Sequence, residues 1–133
     1  MIVVDASAVL DGLLDVATHD DIASRISGAA EPLAAPDLLD VEVLSVLRRW
    51  ELQREISAGR AQQTLQDLQS LPIVRYPARA LLDRAWRLRH NLTASDAQYV
   101  ALAQALPGML LTSDDRMAAA AVSARVTVVE RRQ

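Results

Sequence analysis

Two short apolar runs in this 133-residue chain each stop on an acid and then turn into a helical pattern. The first is Ile2-Val3-Val4, followed by Asp5 and a helical pattern from Ser7. The second is Met109-Leu110-Leu111-Thr112, followed by Ser113-Asp114-Asp115-Arg116 and a helix over Met117 to Val122. Short runs of this kind, without polar alternation, read as strands buried on both faces, the pattern of a parallel sheet. Parallel strands need long crossover connections, and helices supply them. An acid at the carboxyl end of a buried strand is costly to desolvate unless it is paired or binds a cation. In open parallel sheets that edge is also where ligands bind. Taken alone, Asp5 fits either a helix N-cap or a site residue, since Asp and Ser are both good caps.

The remaining pattern keeps to the same alternation. Residues 20–27 (DDIASRIS) read as a short amphipathic helix with two acids in its first turn, where the helix dipole favours them, and Gly28 as its stop. Leu33 to Ala35 is a second strand. Pro36-Asp37 is a helix start, with Asp37 as cap, for a long helix over Leu38 to Glu55. On that helix Leu39, Glu42, Val43, Val46, Leu47 and Trp50 cluster on one side, so Glu42 sits on or beside the apolar face. A helix over Gly59 to Ser70, a strand over Leu71 to Tyr76 and a helix over Arg79 to His90 come next. Thr93 caps a further helix, Ala97 to Leu106, with Asp96 at the third position of a capping-box pattern. Val126 to Val129 is a last strand before a polar tail. The expected fold is one α/β domain over residues 1–133, a three-layer α/β/α sandwich around a parallel sheet of about five short strands.

Composition narrows the chemistry. The chain has no cysteine, and its histidines are His19 and His90, so thiolate and histidine metal sites are disfavoured. A metal held by carboxylates alone would be a hard cation, Mg²⁺ or Mn²⁺. Net charge is −3, which counts against broad polycationic nucleic-acid binding, although every one of the fourteen basic residues is Arg. Arg suits planar, bidentate recognition of phosphate; a biased genome composition produces the same skew. The N-terminus lacks the marks of a signal peptide and no apolar run is long enough to span a bilayer, so a soluble, cytoplasmic protein is expected.

If the two strand-acid-helix units are neighbours, Asp5 and Asp114 face each other across the crevice where the sheet's connections diverge. Glu42 and Asp96, near the starts of helices that follow loops, reach the same edge. Four converging carboxylates repel one another unless a cation neutralises them or some stay protonated. A divalent ion is the simpler solution, and it would also activate water for phosphoryl chemistry. Phosphoryl transfer through a nucleophilic Asp, as in haloacid-dehalogenase-like enzymes, calls for a second Asp where this chain has Ser7. No glycine-rich turn follows any strand, so neither a dinucleotide nor a P-loop site is indicated.

Four blocks together carry a family resemblance over nearly the whole chain. They are Val3-Val4-Asp5-Ala6-Ser7-Ala8; Pro36-Asp37-Leu38-Leu39 leading to Glu42-Val43-Leu44; Thr93 to Ala103; and Leu110 to Ala118. In this order and at this length the sequence resembles a PIN-domain ribonuclease, and more closely a VapC-type toxin of a type II toxin–antitoxin pair. The resemblance implies that Asp5, Glu42, Asp96 and Asp114 form an acidic quartet binding Mg²⁺, with Mn²⁺ as an alternative, for hydrolysis of RNA phosphodiesters. Asp5 and Asp96 would be direct ligands, and Glu42 and Asp114 would act through water. Thr112 and Ser7 would hydrogen-bond around Asp5, with Ser7 taking the helix cap so that Asp5 keeps its oxygens for the ion.

Arg116 would either touch substrate phosphate or lie on the plain surface. The Thr-x-Asp-x-Arg register favours Asp114 over Asp115 as the fourth acid. Ser95 stands where close relatives often carry a larger residue, which implies a more open rim. Tyr99 fits a packed core position better than a base-stacking one. Asp40 is expected to face away from the site. The resemblance further implies an RNA substrate, a homodimer, and a VapB-type antitoxin whose C-terminal segment wraps the toxin. A non-catalytic PIN-like binding module and a PIN nuclease of RNA processing are the alternatives; the intact quartet opposes the first and the minimal length the second.

Overall fold

The computed structural model describes residues 1–14, 26 and 31–129. The helix expected over 20–27 therefore lies outside the described residues except for Ile26, which is buried in the core. His19, the Gly28 stop and the tail from residue 130 lie outside them too. The described chain runs β1 (Ile2–Val4), α1 (Ala6–Leu14), β2 (Leu33–Pro36), α2 (Leu39–Leu52), α3 (Ala58–Ser70) and β3 (Ile73–Tyr76). A 3-10 turn (Ala78–Leu81), α4 (Leu82–Arg87), α5 (Ala94–Ala105), β4 (Met109–Leu111) and α6 (Asp115–Ser123) complete it.

The sheet is parallel throughout, in the order β3-β2-β1-β4. From β1 the chain steps to β2 and then to β3 in one direction, then returns past β1 to β4 on the other side. Right-handed crossovers in opposite directions place their helices on opposite faces of the sheet. Accordingly α1, α2 and α3 pack together, and α4 packs with α5. The expected three-layer sandwich is the observed architecture. The reversal of direction falls between β1 and β4, the two strands that end in acids.

The core is aliphatic, as the scarcity of aromatics requires. Val3, Val4, Ala34, Ala35, Leu110 and Leu111 fill the sheet, with Val9, Leu39, Val43 and Leu47 packed over it from α1 and α2. Helix α5 is buried from Ala97 through Ala103 without a break. A helix apolar all round belongs between two layers, and α5 contacts both the sheet and α4.

Three expectations are corrected. The sheet has four strands, not about five: the segment after α6 touches β4 only as a parallel bridge, Leu110 to Val128. The chain leaves α6 through Arg125 at φ 64° and then pairs with β4 at that single position. Asp37 does not cap α2, whose N-cap Leu38 has no side-chain bond. Its Oδ1 instead accepts from Ala78 N at 3.0 Å, tying the start of α2 to the 3-10 turn after β3. The helix expected over Arg79 to His90 is a 3-10 turn plus a six-residue helix, closed by tight bonds from Leu88 N to Ala85 O and Arg89 N to Trp86 O. The cap of α3 is Ser57, which accepts from Arg60 N at 3.1 Å.

Gly108 allows β4 to begin beside β1. A Cβ there would lie 2.8 Å from the backbone oxygen of Met1, which already accepts from Met109 N. Backbone rather than a flexible side chain would have to move. Gly108→Ala should therefore cost about 1–3 kcal/mol, read as a lower urea midpoint at unchanged m-value.

Candidate functional site

The register of the two central strands builds the site. Val4 pairs with Leu111, and Asp5 N donates to Leu111 O at 3.3 Å, so Asp5 and Thr112 leave the sheet side by side. Asp5 is 4% exposed and Thr112 is 1% exposed. Both Asp5 oxygens are held. Oδ1 accepts from Ser7 Oγ at 2.8 Å and from Ala8 N at 2.9 Å, and Oδ2 accepts from the Thr112 hydroxyl. Each hydroxyl has one proton, and both protons go to Asp5. The Ser7 and Thr112 oxygens then serve as acceptors, for Ser113 N at 3.0 Å and Asp114 N at 3.0 Å respectively. Three donors converge on one carboxylate, and two further amides are tied to it through the hydroxyls. The expected division of labour is reversed: Asp5 itself caps α1 through Ala8 N, and Ser7 links Asp5 to the β4–α6 loop.

Asp114 is exposed and caps α6, its Oδ1 accepting from Arg116 N at 2.9 Å and Met117 N at 3.3 Å. Asp115 lies in the first turn of the same helix, as its neighbour's register suggested. Thr93 caps α5 by accepting from Asp96 N at 3.2 Å, which places Asp96 in the first turn. Glu42, half-buried in the first turn of α2, accepts from the hydroxyl of Tyr99. That bond was not anticipated. Its signal was present, because Asp96 and Tyr99 are three apart and so share a face of α5. Asp40 faces elsewhere, in a bidentate pair with Arg75 at 2.8 and 2.9 Å.

The four acids sense one another. Burial is the largest influence pushing Asp5, Glu42 and Asp96 above their ordinary range. Repulsion adds to it: from Asp114 on Asp5, from Asp96 on Glu42, and from Asp114 on Asp96. Arg116 partly offsets the effect at Asp96, with which it lines a small recess beside Asn91 and Met117. Tyr99 is pushed well above its usual value by burial and by the Glu42 carboxylate, so it stays a donor. Asp5 reaches about 6, although its three hydrogen bonds all favour the charged form. Among the described residues no three of the acids stand close enough, as arranged, to form a ready-made cation cage. They ring one edge of the sheet as an all-oxygen donor set whose mutual repulsion a hard divalent cation would relieve. For Asp5, Glu42, Asp96 and Asp114 to hold such an ion together, they would have to draw closer than they stand here.

The raised Asp5 has a stability consequence in the metal-free protein. Its folded value near 6 lies above the ordinary value of 3.8, so the folded state binds the extra proton. The penalty is absent below pH 4, grows through pH 4–6 and is complete above, at about 3 kcal/mol. Asp5→Asn should therefore be more stable than wild type at pH 7.5 in EDTA by roughly 1–3 kcal/mol. Chemical denaturation should show that gain vanishing at pH 4; an equal gain at both pH values would refute it.

Comparison with known proteins agrees with this geometry. A family model described as PIN domain matches residues 2–123. VapC ribonuclease Mb0985 of Mycobacterium bovis is 44% identical over 117 residues, covering 88% of each chain. Ribonuclease VapC1 of Mycobacterium tuberculosis is 45% identical over 120 residues, covering 89% of each. Among solved structures, PAE2754 from Pyrobaculum aerophilum superposes with a TM-score of 0.65 at 26% identity, over 90% of this chain and 78% of that one. A toxin–antitoxin complex from Klebsiella pneumoniae shares the fold, with a TM-score of 0.64 at 18% identity over 90% and 91% of the two chains. With the family model spanning most of the sequence and relatives of this identity covering nearly all of it, the chain belongs to the PIN-domain family, as a homologue of the VapC ribonucleases.

Proposed function

We propose that this protein is a metal-dependent endoribonuclease and the toxin of a toxin–antitoxin pair. The observation that carries the reading is the buried Asp5 carboxylate, held by three donors at the sheet's ligand edge and repelled there by a second acid, Asp114. A purely structural acid would be cheaper to bury as an amide or an apolar group. Homologues at this identity bear the name ribonuclease, which favours RNA over other phosphodiesters. The likeness to VapC-type toxins is what suggests the antitoxin and the homodimer.

In this reading Asp5 and Asp96 would hold Mg²⁺ or Mn²⁺. When bound, the cation supplies neutralisation of the acids, a lowered pKa for the attacking water and charge stabilisation at phosphorus. The protein does the positioning. Thr112, Ser7 and the Ala8 amide fix the Asp5 carboxylate so that it cannot turn away. Glu42 and Asp114 would act through water, Glu42 being steered by the Tyr99 hydroxyl. Arg116, exposed beside Asp96, is placed to meet a substrate phosphate.

Expression of wild type and Asp5→Asn, followed by mapping of new 5′ ends in total RNA, tests the assignment. Wild type should give discrete ends in Mg²⁺ that EDTA abolishes and that Asp5→Asn reduces by at least about a hundredfold. Identical ends from both proteins, or none from either, would refute a nuclease built on Asp5. Tyr99→Phe, which keeps the ring and removes the donor to Glu42, should lower kcat about ten- to a hundredfold with the fold intact by circular dichroism.

A further inference from the structure

The acids are brought together by two different means. Asp5 and Asp114 follow neighbouring strands, so the β1–β4 register sets their spacing. Glu42 and Asp96 have no such guide. They stand in the first turns of α2 and α5, helices on opposite faces of the sheet, and repulsion from Asp96 acts on Glu42. Two ties span the gap. One is the Tyr99 hydroxyl on Glu42. The other runs through a single residue, Ala78, at the start of the 3-10 turn. Ala78 N donates to Asp37 Oδ1 at 3.0 Å, and Ala78 O accepts from Gln98 Nε2 at 3.1 Å. Asp37 lies five residues before Glu42, and Gln98 lies two after Asp96. Asp37 also donates its own N–H to Tyr76 O at 2.8 Å, so it grips the chain on both sides of Pro77. At the other end Gln98 is buried, which holds its amide in place.

We propose that Asp37 is a positioning residue of the active site: through the Ala78 peptide groups and Gln98 it sets the separation of Glu42 from Asp96. The inference rests on the ribonuclease reading above and deepens it. The bridge is short. Two hydrogen bonds and one residue lead from the entry of α2 to the first turns of α5, and the acceptor on Asp37 is a carboxylate, which makes the stronger kind of hydrogen bond. Helix α2 does not use Asp37 as its cap, since the N-cap position is Leu38. The acids stand too far apart here to share an ion, so any slack between α2 and α5 adds to the distance that binding must close. The tie removes that slack against the repulsion between the two carboxylates. Reacting and ligating groups tolerate little error: a misplacement of about 1 Å caused far from the chemistry can lower a rate about a hundredfold. Asp37 and Gln98 touch neither an ion nor RNA in this proposal. They act through Glu42 and Asp96.

The test separates positioning from stability. Asp37→Ala removes the acceptor, Asp37→Asn keeps an Oδ1 acceptor without the charge, and Gln98→Leu removes the donor at the other end. Urea denaturation first identifies conditions in which each variant is fully folded. There, Mn²⁺ binding is measured by calorimetry and RNA cleavage by initial rates. Asp37→Ala and Gln98→Leu should each weaken Mn²⁺ binding about tenfold and lower kcat about tenfold, with KM for RNA changed by about twofold at most. Asp37→Asn should recover most of both losses. Folded variants that bind Mn²⁺ and turn over as wild type does would overturn the proposal and leave Asp37 a stabilising contact. So would an Asp37→Asn protein as impaired as Asp37→Ala, which would trace the effect to the charge and not to the tie. If wild type cuts no RNA, the ribonuclease reading fails by itself, and the Mn²⁺ affinities still decide whether Asp37 positions the acids.

Discussion

The carboxylate of Asp5 ties together the two central strands and the two loops that leave them. It sits where charge is disfavoured, and three donors from both sides of the β1–β4 junction converge on it. Removing any one partner would loosen more than one bond, because Ser7 and Thr112 each pass a second hydrogen bond to the β4–α6 loop. That loop places Asp114 and starts α6, so the position of one acid fixes the position of another. A neutral core at this junction would be cheaper. The charge is retained at a cost in stability, a trade found where local energetics serve a site rather than the fold.

The same economy recurs at the other acids. Asp114 caps one helix with an oxygen, and Asp96 enters α5 behind the Thr93 cap. Helix N-termini attract negative charge, so both acids are stabilised where they are needed without a dedicated positive partner. Glu42 is held differently, by the buried Tyr99 hydroxyl from across the layer boundary. Asp5, Glu42 and Asp114 are thus held by hydrogen bonds that the fold already makes, while burial first and mutual repulsion second raise Asp5, Glu42 and Asp96.

Much of this was legible in the chain. The apolar runs ending in acids specified the strands, and the alternation of elements specified a parallel sheet with helices on both sides. The sequence pattern singles out Asp5, Glu42, Asp96 and Asp114, and in the structure they interact as a chain of pairs, Asp5 with Asp114, Asp114 with Asp96 and Asp96 with Glu42. Other details were not legible. Asp37 had every mark of a helix cap, yet it bonds to Ala78, forty-one residues on, because β3 delivers that amide to it. Ser7 and Asp5 were equally good caps by type, and the choice between them turned on Thr112, more than a hundred residues away. The last segment, read as a strand, meets β4 only as a single bridge.

The sequence by itself determined what is local: periodicity, burial tendency, the acids at strand ends and helix starts, and the absence of thiol chemistry. These follow from hydrophobic patterning and from the intrinsic preferences of single residues, which act over a few positions. Only the tertiary structure decided which donor serves which acceptor. Buried hydrogen bonds must be satisfied by whichever group the packing brings near, and packing joins residues distant along the chain. Tyr99 on Glu42, Thr112 on Asp5 and the unpaired oxygen of Gln98 are all outcomes of that kind.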